Sequence, residues 1–236
     1  MDNKLQPALT RLSVQQVVHI PSIAWPTIVL AMVSISLHTL TTYLFFTKVL
    51  SIYQVITVNT ICSFLAFTPM HDACHGSIAT VKSGVRWLND FIGTLCACVF
   101  PAPYAAFKYC HLQHHKHTND PKHDPDHYVA QGPTLLLPLK WISIECKYYY
   151  IYLPLLLSRP LLESTSTVIQ LVLSVLTLLY SYRIDCMYVA VYAWLIPGRL
   201  ALGLLAYSFD YLPHRPHRYC TYMDANTFLY VYIHCV

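Results

Sequence analysis

Long apolar runs alternate with short polar breaks along this chain, and the breaks predict its elements. Residues 23–47 are almost wholly apolar, and residues 49–69 repeat the pattern after the single Lys48. A helix rises about 1.5 Å per residue, so about 20 apolar residues cross a bilayer. Two spans joined by a tight hairpin around Lys48 are therefore expected. Residues 166–182 and 187–209 form a second such pair, separated only by Arg183, Ile184 and Asp185. Between the pairs lie interrupted apolar segments. Pro101 and Pro103 break residues 85–109, which predicts a short membrane-surface helix followed by a turn. Residues 134–157 are Tyr-rich but carry Lys140, Glu145 and Lys147, and these charges argue for an interfacial helix over a span. Residues 1–22, with Lys4, Pro7, Arg11 and Pro21, read as an interfacial or loose segment. No cleavable signal peptide is expected: the run starting near Ile23 is too long for an h-region and lacks a small-residue cleavage site.

The pattern predicts an all-α integral membrane protein with four transmembrane helices in two hairpins, interfacial helices between them, and one face carrying the polar chemistry. Composition agrees. The 236 residues are 56% hydrophobic and 11% charged, with mean hydropathy +0.44, against about 25% charged in ordinary soluble domains. The net charge of +4 is small and scattered, so no nucleic-acid partner is expected. Four spans leave the N-terminus, residues 70–165 and the segment after Phe209 on one side. Twelve lysines and arginines fall on that side, two (Lys48, Arg183) in the opposite turns, and Arg199 inside a span. By the positive-inside rule the first side is cytosolic. Arg199 is expected to face protein or to snorkel. His38 lies within the first span, where either a functional role or one buried hydrogen bond would account for it.

Histidine placement adds the chemistry. Eight of thirteen histidines fall between residues 71 and 127. His71 and His75 are spaced i, i+4, while His111, His114 and His115 are spaced i, i+3, i+4. On helices each set lies along one face. Imidazole is a neutral ligand for borderline transition metals, so one metal site assembled from two helices is expected. A solvated low-complexity histidine tract would lack this helical spacing. Asn119, Asp120 and Pro121, then Asp124, Pro125 and Asp126, are turn formers that end the second helix. His214 and His217 follow the fourth span, where either a ligand role for one of them or a plain polar exit from the bilayer would explain them. The nine cysteines are scattered, mostly in apolar runs, without a C-x-x-C pair. They read as small apolar residues in a reducing setting, and Cys74 and Cys110, although beside the histidines, are not expected as ligands.

Taken as an ordered set, these motifs resemble the membrane fatty acid desaturase superfamily, which includes lipid desaturases, lipid hydroxylases and carotenoid ketolases. The resemblance rests on His71-x-x-x-His75 after a second span, His111-x-x-His114-His115 with the following Thr118 to Pro121 and Asp124 to Asp126, and Leu212 to Pro216 after the fourth span, and it covers about residues 23–218. It implies two non-haem irons held mainly by histidines at the cytosolic membrane face, with O2 as co-substrate and electrons from a cytochrome b5-like or ferredoxin-like donor. The implied reaction removes hydrogen from an unactivated C–H bond; a second removal gives a double bond, and oxygen rebound gives a hydroxyl. Carried over, His71, His75, His111, His114 and His115 would be iron ligands, with His214 or His217 supplying another. The substrate would be an acyl lipid or another apolar molecule from the bilayer. The location would be the endoplasmic reticulum of a eukaryote or the plasma membrane of a bacterium.

One departure stands out. The family carries a third cluster, His-x-x-His-His, beyond the fourth span, whereas residues 219–236 hold only His234. That tail reads as divergent and the chain as truncated. Acyl-lipid desaturation is the expected activity. A carotenoid ketolase or hydroxylase is the alternative, since Leu212 to Pro216 and the His71, Asp72, His75 form of the first box also resemble ketolases. A non-catalytic metal-binding remnant is a third reading. A metal transporter fits less well, because transport ligands sit near mid-span and the spans here carry only His38 and Arg199.

Overall fold

The structure, a computed structural model, describes residues 21–213. The expectations for most of the N-terminal segment, for the tail after residue 213 and for His214, His217 and His234 lie outside the described residues. Helices α1 (Trp25–Phe46) and α2 (Ile52–Cys74) form the first hairpin. Their turn places Lys48 at φ +63°, a left-handed conformation unusual for a residue with a Cβ. Ser51 then caps α2: its hydroxyl accepts from the Gln54 N–H, and the Gln54 side chain accepts from the Ser51 N–H. Helix α2 continues five residues past the predicted end of the span, so His71 lies within it, and Pro69 does not stop it.

Helix α3 (Trp87–Ala97) is the short helix expected before the proline turn, and α4 (Tyr104–His117), which carries the second histidine cluster, starts within the segment expected to turn. The six residues between them contain Pro101 and Pro103, and Pro103 stands at the position before α4. Proline disfavours helical backbone at the residue before it, which is why α3 and α4 are separate helices. The Tyr-rich segment likewise divides into α5 (Leu137–Trp141) and α6 (Ile144–Tyr152). The second long pair is α7 (Leu161–Arg183) and α8, which runs over Met187–Tyr211 with π-helical stretches at Ala190–Leu195 and Ala206–Tyr211. Helices α1, α2, α7 and α8 are each long and apolar enough to cross a membrane.

Polar side chains tie the spans together where hydrophobic burial between lipid-like surfaces gives little drive. Asn59 on α2 is fully buried; it accepts from the Thr41 hydroxyl and donates to Thr42 Oγ1 (3.0 Å) on α1 and to the Ala193 carbonyl (2.7 Å) on α8. Arg199 faces protein: its guanidinium donates to the Ile142 carbonyl and pairs with buried Glu145 on α6. Small residues, among them Ala31, Ala66, Ala73 and Ala201, occupy the tight contacts between helices. Helix α7 stands apart, with only 6% of its apolar stretch buried, so most of its surface is left for lipid. At the opposite end of α1 from Lys48, Ile23 and Ala79 form a short bridge. Asn89 on α3 holds that strap by accepting from the Ile78 and Ala79 N–H groups and donating to the Ala79 carbonyl. The strap leads directly from the first histidine pair and fixes the end of α2 against α3.

Candidate metal centre

Helix α2 delivers His71 and, at its C-terminal cap, His75; α4 delivers His111 and His115. The i, i+4 spacing in each helix turns two rings to the same side, and packing of α2 beside α4 brings the two pairs together. Their four ligand atoms lie within 4.8 Å of one another. The ring centroids of His71 lie 4.7 Å from both His75 and His111, and those of His111 and His115 are 4.5 Å apart. His111 is buried at the centre, while His75 and His115 are exposed.

The decisive contact is a double one. His111 Nε2 lies 3.1 Å from His75 Nε2 and 3.0 Å from His115 Nε2. An imidazole nitrogen offers either one N–H or one lone pair, so it satisfies only one such partner by a well-aimed hydrogen bond. Nitrogens bound about 2.1 Å from a common ion are roughly 3.0–3.4 Å apart. The donor set fits a cation of the borderline class that accepts several neutral nitrogens. Electrostatics point the same way. Burial and then the neighbouring histidines depress His111 to about 2, and burial with His114 and His75 depresses His115 to about 4. Both rings are therefore neutral near pH 7, with a lone pair to give.

His114 stands beside this group in a different setting. Its Nδ1 is 2.9 Å from Asp124 Oδ1 and 3.4 Å from Asp126 Oδ2. Burial alone would lower its pKa, but the hydrogen bond to Asp124 and the charges of Asp126, Asp124 and Asp210 lift it to about 9. Asp124 also accepts from the Asn119 and Asp126 N–H groups, and Tyr148 donates to Asp126 Oδ1 at 2.6 Å. Burial raises Asp126, whereas for Asp124 the His114 contact and the two backbone N–H groups outweigh burial and hold it low. His114, Asp124 and Asp126 form a second group with metal-type spacing, and His117, Asp120 and His123 a third at the surface.

The sequence reading gave Asp124 and Asp126 as turn formers and as part of the family motif, with no partner for their side chains; their carboxylates enclose His114. The Asp-Pro-Asp spacing was visible, but nothing in it named a histidine ten residues upstream as the partner. An aromatic floor was also unforeseen. Phe107 stacks on His111 at 5.3 Å, Phe67 lies 5.9 Å from His71, and Phe67 contacts both Phe107 and Phe209. Cys74 and Cys110 are buried outside the three groups, and the Cys74 thiol donates to the Met70 carbonyl.

With this geometry in hand, three comparisons are informative. The sequence model of the family described as fatty acid desaturase matches residues 49–233. Zeaxanthin 4-ketolase of Chlamydomonas reinhardtii is 41% identical over 61 residues, which is 25% of this chain and 13% of that protein. A Delta(9) fatty acid conjugase-like enzyme of Dimorphotheca sinuata is 40% identical over 57 residues, 24% of this chain and 14% of the relative. Beta-carotene 4-ketolase 3 of Haematococcus lacustris is 40% identical over 65 residues, 25% and 18% respectively. The matched segment thus spans 18% or less of each of these relatives. No solved structure matches.

Proposed function

This chain belongs to the fatty acid desaturase family, and from that premise we propose that it acts as a membrane di-iron oxygenase desaturating fatty acyl chains of lipids. The observation that carries the proposal is the convergence of His75 and His115 on His111 Nε2, at 3.1 and 3.0 Å. In this reading His71, His75, His111, His114 and His115 hold iron, and His214 or His217 adds a ligand. Two non-haem irons would supply the O2 activation that attack on an unactivated C–H bond requires.

The protein's own groups do the rest. Low basicity keeps His111 and His115 neutral and ready as ligands. The Asp124 carboxylate holds the His114 ring through Nδ1, which sets its orientation as outer carboxylates do at metal sites. This ring is protonated near pH 7 and would give up its Nε2 proton on binding a metal. Phe67, Phe107 and Phe209 give an apolar approach from the bilayer and keep water from that side; Phe209 is about half exposed. The histidine face is assigned to the cytosol by the lysine and arginine distribution. A cytochrome b5-like or ferredoxin-like donor would dock there, at the endoplasmic reticulum of a eukaryote or the plasma membrane of a bacterium.

Carotenoid oxygenation is the second reading, supported by the matches to two algal ketolases alongside the conjugase. One experiment separates them. The chain is expressed in yeast with and without a co-expressed carotenoid pathway, and acyl chains and pigments are profiled in air and under nitrogen. Acyl desaturation predicts new double bonds only in air, lost in His111→Ala. Oxygenated carotenoids with an unchanged acyl profile would replace the first reading by the second, and no change in either product would remove both.

A further inference from the structure

A cavity of about 370 Å³ opens between α1, α7 and α8, under the turn that joins α3 to α4. It is separate from the metal centre. His38, on its wall, is three residues before Thr41, which meets Asn59 of the antiparallel α2. That level of α2 is about nine residues before His71, or roughly 14 Å along the axis. None of the four clustered histidines lines the cavity.

The wall is mostly apolar, as ligand sites usually are, but its polar groups form an unusual set. His38 is 7% exposed, and among the described residues its Nε2 has no hydrogen-bond partner; the indole Nε1 of Trp194 is likewise buried without one among them. Buried polar atoms are nearly always paired, so each orphan calls for an explanation. Thr39, Thr42, Ser174 and Thr177 also line the cavity, and each donates its hydroxyl hydrogen to a carbonyl of its own helix. The oxygens of Thr39, Ser174 and Thr177 therefore keep capacity to accept but not to donate, while Thr42 Oγ1 already accepts from Asn59 and has less to spare. Trp194 lies in the π-helical stretch Ala190–Leu195 of α8. Such a stretch inserts a residue into the helical ladder, and π-bulges are frequent at functional sites.

We propose that this cavity binds a hydroxyl-bearing lipid, with the hydroxyl seated among His38, Trp194 and the threonine and serine oxygens and the apolar skeleton along α7. A hydroxyl both donates and accepts. It can accept from the Trp194 N–H, pair with His38 in either tautomer, and donate to a Thr or Ser oxygen. An ester or ketone lacks the donor, and a hydrocarbon lacks both. Helix α7 leaves most of its apolar stretch unburied, so the ligand has a route from the bilayer. The inference does not depend on metal or on the reaction proposed above.

The test uses the full chain in phosphatidylcholine nanodiscs, which contain no free lipid hydroxyl, and a hexadecanol analogue bearing a mid-chain diazirine. Cross-linked peptides are mapped by mass spectrometry, with competition by hexadecanol, geranylgeraniol or hexadecane. We expect labelling concentrated in residues 170–194, competed at least about fivefold by an alcohol and not by hexadecane. Preference for hexadecanol or for geranylgeraniol then tells a straight-chain from an isoprenoid ligand. His38→Leu and Trp194→Phe should abolish the competable fraction, and His38→Gln, which keeps a hydrogen-bonding side chain, should restore part of it. Labelling that hexadecane competes equally well, or that spreads evenly over the lipid-facing helices, overturns the proposal. The alcohol-against-alkane comparison on the unsubstituted chain decides even where a variant fails to fold.

Discussion

His111 Nε2 is shared by two other imidazole nitrogens, so among the clustered histidines it is the one whose loss removes most of the donor geometry. His111→Ala should lower metal bound to the purified chain to less than about a third of the unsubstituted value, while His117→Ala, in the separate surface group, should leave it within error. Metal analysis after iron loading checks both, and equal losses would show that the histidines act only as a diffuse tract. Asp124 is the second informative residue. Asp124→Asn keeps one of the two oxygens that accept from the Asn119 N–H (Oδ2) and the Asp126 N–H (Oδ1), so it loses one of those backbone contacts together with the charge that holds His114. Metal affinity should fall about 10–100-fold, as for other outer-sphere partners, with helical content unchanged; chelator competition measures it.

At the scale of elements, two joints decide how the helices meet. Glu145 on α6 is buried and paired with Arg199 on α8. Arg199→Ala leaves that carboxylate without its cation and should destabilise the protein by about 2–3 kcal/mol. This is below the roughly 3–5 kcal/mol of fully enclosed pairs, because Arg199 is partly exposed. The double variant Arg199→Leu, Glu145→Gln should recover part of the loss, and denaturant titration in detergent tests both. The second joint is Gly93 on α3, where an added Cβ would run into the Tyr104 ring at the start of α4. Gly93→Ala should cost about 1–3 kcal/mol by overpacking and weaken metal retention, because α4 carries His111 and His115. Unchanged melting would mean that the Tyr104 ring moves aside at little cost.

For the whole molecule, the arrangement places the Lys48 and Asp185 turns at one end of the bundle and the histidines at the other. In the orientation proposed above from the lysine and arginine distribution, the histidine end faces the cytosol. In a cysteine-free background, single cysteines at Lys48 and Lys122 should react with an impermeant maleimide from opposite sides of sealed vesicles. Labelling of both from one side would reject the four-span arrangement.

How much of this was legible in the sequence follows from the range of each interaction. Four apolar runs, their turns and the i, i+4 histidine pairs are local patterns, and a helix obeys them whatever it packs against. The sequence alone therefore determined an all-helical membrane chain, two hairpins and a two-helix histidine site. It located the ends of elements less well: α2 runs on through Pro69, and α4 starts at Tyr104, ahead of the histidine cluster. Only tertiary structure decided that Asp124 and Asp126 enclose His114, that Glu145 answers Arg199, that phenylalanines floor the histidines, and that His38 and Trp194 share a cavity wall. Each of these joins separate elements or a helix to a distant turn. Such pairings depend on how the helices dock, which no local periodicity encodes.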